Sequence, residues 1–490
     1  MTERVAKPRG RKKKEAARTG ISIRQKTNPE SDASGSTGAT RIEPSRKTAA
    51  VDMPVPSPMF PVDRRYPAEV ERAVTAIRYQ YRTPTFYQPA NVNPDALDIA
   101  FLAHYVEMNS GSRHYSPEVQ WLNHLPRIHA NATKPAVRLS LRAVAMAYYA
   151  KMYHDPSILL DSWRWYSVSL NAQRMSIAKL KDDEIPEEGE VLVPLIMSLY
   201  EVYCGTTTKG AMIHMQAAAK MMVLRGPSNC RTGAVWPIFK GVRNAEAHRS
   251  IIFGKSSVYA KPEWMIKPFI GMPRDAHQQL ADIELLIPTA MESLEIGGSL
   301  RDFCRIPIPA HVDVEPCLEL TRKLMKDLDI WAASYPNLTQ VEETEDTERS
   351  SKRSASGLDI AAEHFAAPPK PDAFVALIAS NYASTKLLLN MMIYKVATQA
   401  ATPPSIPVAN PEEYFEETSR CARAILRAAG VMERSKTPGF DLLRSLPPLI
   451  SVLCVGPKEE HFREAQAMLY RWGARIGGLK AVLGPLNLAQ

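Results

Sequence analysis

The residues with the clearest chemistry in this sequence form a basic run close to the N-terminus. The run comprises, in order, Arg9, Gly10, Arg11, Lys12, Lys13 and Lys14. Five positive side chains within six residues repel one another unless a polyanion or an acidic receptor groove neutralises them. The run therefore predicts a nuclear import signal, for which short segments rich in lysine and arginine are typical.

The same run allows two other interpretations. Its Arg-Gly-Arg core is similar to an AT-hook, in which glycine lets the backbone approach the floor of a narrow A/T minor groove while the two arginines flank it. An AT-hook has proline directly after the second arginine, where this chain has Lys12. The third interpretation is a solvated tail that only aids solubility. Contact with DNA through the tail is thus one of three open alternatives.

The sequence contains no other group of residues with the spacing of a catalytic or metal site. Asp182, Asp183 and Glu184 form an acidic triple of the kind that binds Mg²⁺, but no partner set of carboxylates stands on another predicted helix. The six cysteines are far apart, and no HExxH spacing, phosphate-binding glycine loop or Gly-x-Ser-x-Gly motif occurs. We therefore expect no catalysis and no cofactor.

Composition divides the 490 residues into a tail and a body. The first 60 residues hold 13 Lys and Arg against 6 Asp and Glu, and no aromatic residue precedes Phe60. Such a segment buries too little apolar surface to offset the entropy of ordering, so residues 1–61 are predicted to be disordered and residues 62–490 to fold. The tail lacks the apolar segment of a secretory signal, and no run reaches the roughly 18 apolar residues of a membrane span. We expect an intracellular protein without a membrane partner.

The body has the periodicity of helices. Val137, Leu141, Val144, Tyr148 and Met152 recur at offsets of three and four, which predicts one face of a helix that ends near His154. Similar segments fill the body, and Gly226-Pro227 is a strong signal for the end of another helix. This pattern predicts an all-α, multi-helix domain. A mixed-charge stretch near 340–358 predicts a flexible loop between two helices.

Four short segments between Phe101 and Trp264 carry a family resemblance. They are Phe101–Tyr105, Leu139–Met152, Met197–Glu201 and His214–Pro227, and the series closes at Pro262–Trp264. In this order and spacing they resemble the fungal-specific transcription factor domain, which usually follows a zinc-binuclear-cluster (Zn2Cys6) DNA-binding domain. The resemblance implies a helical scaffold for regulation by partners or small molecules, without catalysis.

The chain differs from that family in the cysteines of the zinc-cluster DNA-binding domain. The family's zinc cluster uses closely spaced cysteines ahead of the regulatory region, whereas the first cysteine here is Cys204. Three explanations are open: DNA contact through the basic tail, action as a cofactor on other regulators, or a first exon missing from the gene model. We expect a nuclear transcriptional regulator or co-regulator, with a metabolic gene cluster as a candidate target. Its expected partners are an import receptor, other transcription regulators and DNA; an all-α enzyme or metabolite-binding protein is the alternative.

One carboxylate stands within an apolar helical pattern. Glu201 directly follows Tyr200 at the end of a strongly apolar segment. A buried charge requires a partner, and Arg225 or Arg243 would supply one. A structural ion pair between two helices is therefore the predicted role of Glu201, and a ligand pocket is the alternative.

Overall fold

The computed structural model describes a large part of the predicted helical body. The described residues are 94–110, 121–180, 184–207, 209–341, 373–402, 404–405, 407–434 and 443–476. The predicted disordered tail with its basic run lies outside them, as does the predicted loop near 340–358 apart from Gln340 and Val341. Within the described ranges every regular element is an α-helix or a 3-10 helix and no strand occurs, which confirms the all-α class.

Two hydrophobic cores organise the described helices. The first core is built mainly by α1 (Pro94–Ser110), α2 (Leu125–Ala130), α3 (Pro135–Tyr153), α4 (Pro156–Ile177), α5 (Glu188–Cys204), α6 (Gly210–Arg225), α7 (Val235–Ile252) and α8 (Pro262–Ile266). The second core is built mainly by α9 (Ala276–Glu284), α10 (Ile287–Glu292), α11 (Leu300–Arg305), α12 (Glu315–Ser334), α13 (Ala373–Gln399), α14 (Pro411–Glu433), α15 (Leu446–Val455) and α16 (Glu459–Arg475). Both cores belong to one compact unit.

Short 3-10 turns link several of these helices. They are Trp121–His124, Pro227–Cys230, Val258–Ala260, Lys267–Phe269 and Pro336–Leu338. The first and the last of them reach the space between the two cores, where each supplies part of a cavity wall.

The helix boundaries follow local chemistry. Helix α3 ends at Tyr153 and is capped by His154, which adopts a left-handed φ of 54°, and α4 begins with Pro156. The Asp155 carboxylate caps α4 by accepting hydrogen bonds from the backbone N–H groups of Ser157 (2.9 Å) and Ile158 (3.0 Å). Helix α6 ends at Arg225, directly before Gly226 with φ 81°. Both predicted helix ends are therefore confirmed.

Helix α7 joins the two cores. Its residues up to Ala247 belong to the first core, whereas Ile251 in its last turn belongs to the second. The helix also packs against α6 on one side and against α9 and α15 on the other. A side chain on α7 can therefore contact elements of both cores.

A search of the described helices for membrane spans finds none with the necessary length and apolar character. The same residues contain no cluster of three or more histidine, cysteine or acidic side chains suited to a metal ion.

Candidate functional site

A cavity of about 640 Å³ lies where the two cores meet. Small-molecule sites typically enclose about 300–1,000 Å³, so this volume suits a small organic ligand. One wall is apolar and comes from α5, α6 and the first 3-10 turn. It includes Trp121, Leu195, Leu199, Val202, Met212 and Met215.

The apolar wall follows from helical spacing. The α5 residues that line the cavity are Leu195, Ser198, Leu199 and Val202, at offsets of three, four and seven from the first. Side chains with these offsets lie on one face of a helix. Helix α5 is buried on most of its circumference, so this face borders the cavity while its other faces pack in the first core.

A second part of the lining, here called the polar wall, comes largely from α7. Lys240, Asn244 and His248 recur every four residues along this helix and all line the cavity. Because an α-helix rises about 1.5 Å per residue, the row spans about 12 Å. Gly241, which has no side chain, and Ala245, which has only a methyl group, line the cavity beside this row. The lining thus combines this polar row with apolar groups from both cores.

A buried arginine anchors the polar wall. Arg243 of α7 is fully buried and forms an ion pair with Asp282 of α9, which also pairs with Arg274 (2.6 Å). Burial lowers the pKa of the Arg243 guanidinium, and the nearby Asp282 carboxylate opposes this effect. Arg243 also lies over the Phe269 ring, 5.2 Å from its centroid. The pair therefore fixes α7 to α9 beside the cavity.

A chain of hydrogen bonds runs from this arginine along the wall. Arg243 donates to Gln278 Oε1 (3.3 Å), and Gln278 Nε2 donates to Asn244 Oδ1 (2.8 Å). Asn244 Nδ2 then lies 2.9 Å from His277 Nδ1, to which Arg444 Nη2 also donates at 2.9 Å. Because a guanidinium only donates, each amide in the chain has a defined orientation. His277 Nδ1 is therefore an acceptor, and the proton of the neutral ring is on Nε2.

Asn381 closes this chain from the second core. Its Nδ2 lies 3.4 Å from His277 Nε2, and its buried Oδ1 has no hydrogen-bond partner among the described residues. The amide oxygen and nitrogen exchange places when the group rotates by half a turn. The rotated orientation presents Oδ1 to the Nε2 proton of His277. Helices α7, α9 and α13 are thus joined by one polar network.

Two lining residues of the polar wall form ion pairs. Lys240 Nζ lies 3.2 Å from the Asp275 carboxylate, which also caps α9 by accepting from the Gln278 backbone N–H (2.8 Å). Burial lowers the pKa of Lys240, and Asp275 opposes this effect. At the other end of α7, Arg249 donates from Nε (2.6 Å) and Nη2 (2.8 Å) to Glu246. These hydrogen bonds raise the pKa of Arg249, which therefore stays charged.

The predicted ion pair of Glu201 is wrong. In the described part of the chain, Arg225 donates to the carbonyl oxygens of Pro186 and Asn229, and Arg243 pairs with Asp282, so neither forms a salt bridge with Glu201. The prediction that Glu201 is buried holds, since only 2% of it is exposed. The carboxylate is satisfied by hydrogen bonds instead of by a cation.

The donors to Glu201 come from the turn between α5 and α6 and from α4. The backbone N–H groups of Thr206 (3.0 Å) and Thr207 (3.2 Å) donate to Oε2, and the Tyr166 hydroxyl donates to Oε1 (2.6 Å). Tyr166 has one proton to donate, so His214 Nε2, 2.8 Å away, donates to its oxygen. Burial lowers the pKa of His214. Glu201 therefore ties the α5–α6 turn to α4.

Replacing Glu201 with alanine is expected to lower the free energy of unfolding by about 1–3 kcal/mol, because buried donors lose their acceptor. Urea denaturation of the full chain measures this effect. Glu201→Gln keeps one acceptor oxygen and serves as the matched control, with a smaller expected loss. Equal midpoints for the wild-type chain and Glu201→Ala would show that these hydrogen bonds contribute nothing.

The remaining sequence-predicted site residues are Arg9, Gly10, Arg11, Lys12, Lys13 and Lys14, and they lie outside the described residues. The cavity residues were not predicted as a site. Searches with family models, with curated protein sequences and with solved structures find no match to this chain. The resemblance to the fungal-specific transcription factor domain therefore stays a prediction from the segments between Phe101 and Trp264.

Proposed function

We propose that this chain is a nuclear transcriptional regulator or co-regulator whose helical body responds to a small molecule bound between its two cores. The observation that carries the proposal is the cavity of about 640 Å³, whose walls come from both cores. A ligand there contacts helices of both cores at once. It therefore stabilises the arrangement of the cores that fits it and shifts the population of the body towards that arrangement.

The sequence resemblance supports the same proposal. Two of the segments that carry it, Met197–Glu201 and His214–Pro227, contribute Ser198, Leu199 and Met215 to the cavity wall. In the family that the chain resembles, this helical region is a regulatory scaffold without catalysis. We propose the same role here, with a metabolic gene cluster as the candidate target.

The basic tail completes the proposal. Its lysines and arginines would bind an import receptor, and they would also contact DNA phosphates. Phosphate contacts give affinity but little sequence selectivity, because sequence is read at the base edges. Action through other transcription regulators therefore fits the tail better than independent recognition of a DNA site.

Alanine substitution of Lys12–Lys14 is expected to move the full-length chain from the nucleus to the cytoplasm, because the import receptor recognises clustered positive charge. Fluorescence microscopy of the tagged chain in a fungal cell measures this change. The matched control replaces Arg18, Arg24 and Lys26 with alanine, which removes the same charge from the same tail outside the cluster. The same distribution for the wild-type chain and the cluster variant would contradict the import signal, and a wild-type chain that stays in the cytoplasm would contradict the regulator proposal.

A metabolite-binding protein without a role in transcription is the second candidate, and the cavity favours it as well. The two candidates differ in location and not in ligand binding. A chain that binds ligand but stays in the cytoplasm would favour this second function. We place catalysis in neither candidate.

A further inference from the structure

Two pairs of side chains beside the cavity each place the basic residue in the cavity lining and leave the acidic residue out of it. Arg249 lines the cavity, whereas its partner Glu246 does not and has a side chain only 4% exposed. His248 lines the cavity, whereas the buried Glu284, 3.5 Å from its Nε2, does not. In both pairs the group that can carry positive charge borders the cavity, and the carboxylate does not.

The lining residues contain little negative charge. Of the described residues that line the cavity, Asp275 is the one with a carboxylate, and Lys240 and the first turn of α9 already bind it. The positive side chains Lys240, Arg249 and Arg444 line the same space. An anion in the cavity therefore meets more attraction than repulsion, and the low dielectric of the interior strengthens that attraction.

Arg249 is the group best placed to bind such an anion. Its Nε and Nη2 donate to Glu246, which leaves the two protons of Nη1 without a partner in the described part of the chain. A guanidinium held by a carboxylate on one side keeps its geometry for an acceptor on the other. Arg249 stays charged because Glu246 raises its pKa.

We propose that the cavity binds a small apolar acid, with the carboxylate at Arg249 and the apolar body against α5 and α6. The apolar part would contact Leu199, Val202 and Met215. This inference rests on the proposed ligand-responsive function and adds the chemical class of the ligand. The carboxylate accepts hydrogen bonds from Nη1, so the affinity depends on the guanidinium and on the charge of the ligand.

Decanoate and decan-1-ol are the probes that test the inference, because they share a chain length and differ in charge. Isothermal titration calorimetry of the full chain measures the Kd of each. Loss of a hydrogen bond to a charged group weakens binding by about 10- to 100-fold, so decanoate is expected to bind more tightly than decan-1-ol by that factor.

Two variants distinguish the effect of losing the Arg249 guanidinium from the effect of destabilising the fold. Glu246→Gln keeps the Arg249 cation together with one acceptor oxygen for it, and it is the reference against which the double variant is compared. The double variant Glu246→Gln/Arg249→Gln removes both charges together, so no carboxylate is left buried without its cation. It is expected to bind decanoate about 10- to 100-fold more weakly and decan-1-ol with unchanged affinity.

Each other outcome overturns a defined part of the proposal. Equal affinity of the wild-type chain for decanoate and decan-1-ol, or unchanged decanoate binding by the double variant, overturns the carboxylate assignment and leaves the cavity as a binding site. Absence of binding by both probes overturns the apolar acid as ligand and, with it, the ligand-responsive part of the proposed function. The nuclear role is tested independently by the location of the chain.

Discussion

Replacing Asp282 with asparagine is expected to lower the free energy of unfolding by about 3–5 kcal/mol, because it leaves a buried guanidinium without a counter-charge. Arg243 is fully buried, and Asp282 is the carboxylate with which it pairs. Asparagine keeps the shape of the side chain, removes its charge and turns one of its two acceptor oxygens into a donor. Chemical denaturation of the full chain measures the loss.

Two further variants make this prediction specific. Arg274→Met removes the more exposed partner of Asp282 and leaves the buried pair intact, so its expected cost is at most about 1 kcal/mol. The double variant Arg243→Met/Asp282→Asn removes both buried charges and is expected to be more stable than Asp282→Asn alone. If Asp282→Asn unfolds at the same urea concentration as the wild-type chain, the buried pair does not stabilise the protein.

The same substitution is expected to disturb the cavity. Arg243 defines the orientation of the Gln278 amide, which in turn fixes Asn244 and the acceptor nitrogen of His277. Loss of the Asp282 charge frees Arg243 to move. The Gln278 and Asn244 amides are then no longer held in one orientation, which weakens the hydrogen bonds that they form. Stability and the polar wall of the site are therefore coupled through one side chain.

The parts of the fold that the sequence predicts are those that depend on residues a few positions apart in the sequence. The helix end at His154 and the stop at Gly226-Pro227 follow from backbone preferences within a few positions, and the structure confirms both. The all-α class follows from the helical spacing of apolar residues, which is also a local property. These features need no knowledge of which helices pack together.

For Glu201, charge alone predicts the wrong hydrogen-bonding partners. The apolar pattern correctly predicts that it is buried, but it does not identify the partner. Charge alone points to Arg225 and Arg243 as partners. The donors that satisfy Glu201 include the backbone N–H groups of Thr206 and Thr207, which follow it by only five and six positions. Both threonines belong to the short turn between α5 and α6, so these donors lie close to Glu201 in the sequence.

The cavity could not be derived from the sequence, because it is a product of packing. Its walls combine residues from Trp121 to Ile450. One part carried a signal: Lys240, Asn244 and His248 place polar groups every four residues along a helix that is otherwise mostly buried. A polar row on such a helix indicates either a buried network or a site. Arg444 carries no comparable signal, since its role depends on helices distant in sequence.

Replacing Gly241 with leucine is expected to weaken the binding of decan-1-ol and decanoate without unfolding the chain. Gly241 lies within α7 and lines the cavity, and a Cβ atom there would meet Trp121 at an ordinary contact distance of 3.6 Å. Leucine would add four carbon atoms to the cavity lining beside Trp121, so less of the cavity volume would be left for the ligand. The helix keeps its backbone conformation because the added Cβ fits at an ordinary contact distance.

The control is Gly241→Ala, which adds the Cβ alone. Alanine within a helix is more favourable than glycine by roughly 0.5–1 kcal/mol, so this variant is expected to be slightly more stable than the wild-type chain and to bind both probes. The measurement is the rise in Tm that saturating decan-1-ol produces in each protein. A rise in Gly241→Leu as large as in the wild-type chain would place the ligand outside this cavity. Because the neutral probe does not depend on Arg249, loss of the rise would assign binding to the cavity whichever group holds the carboxylate.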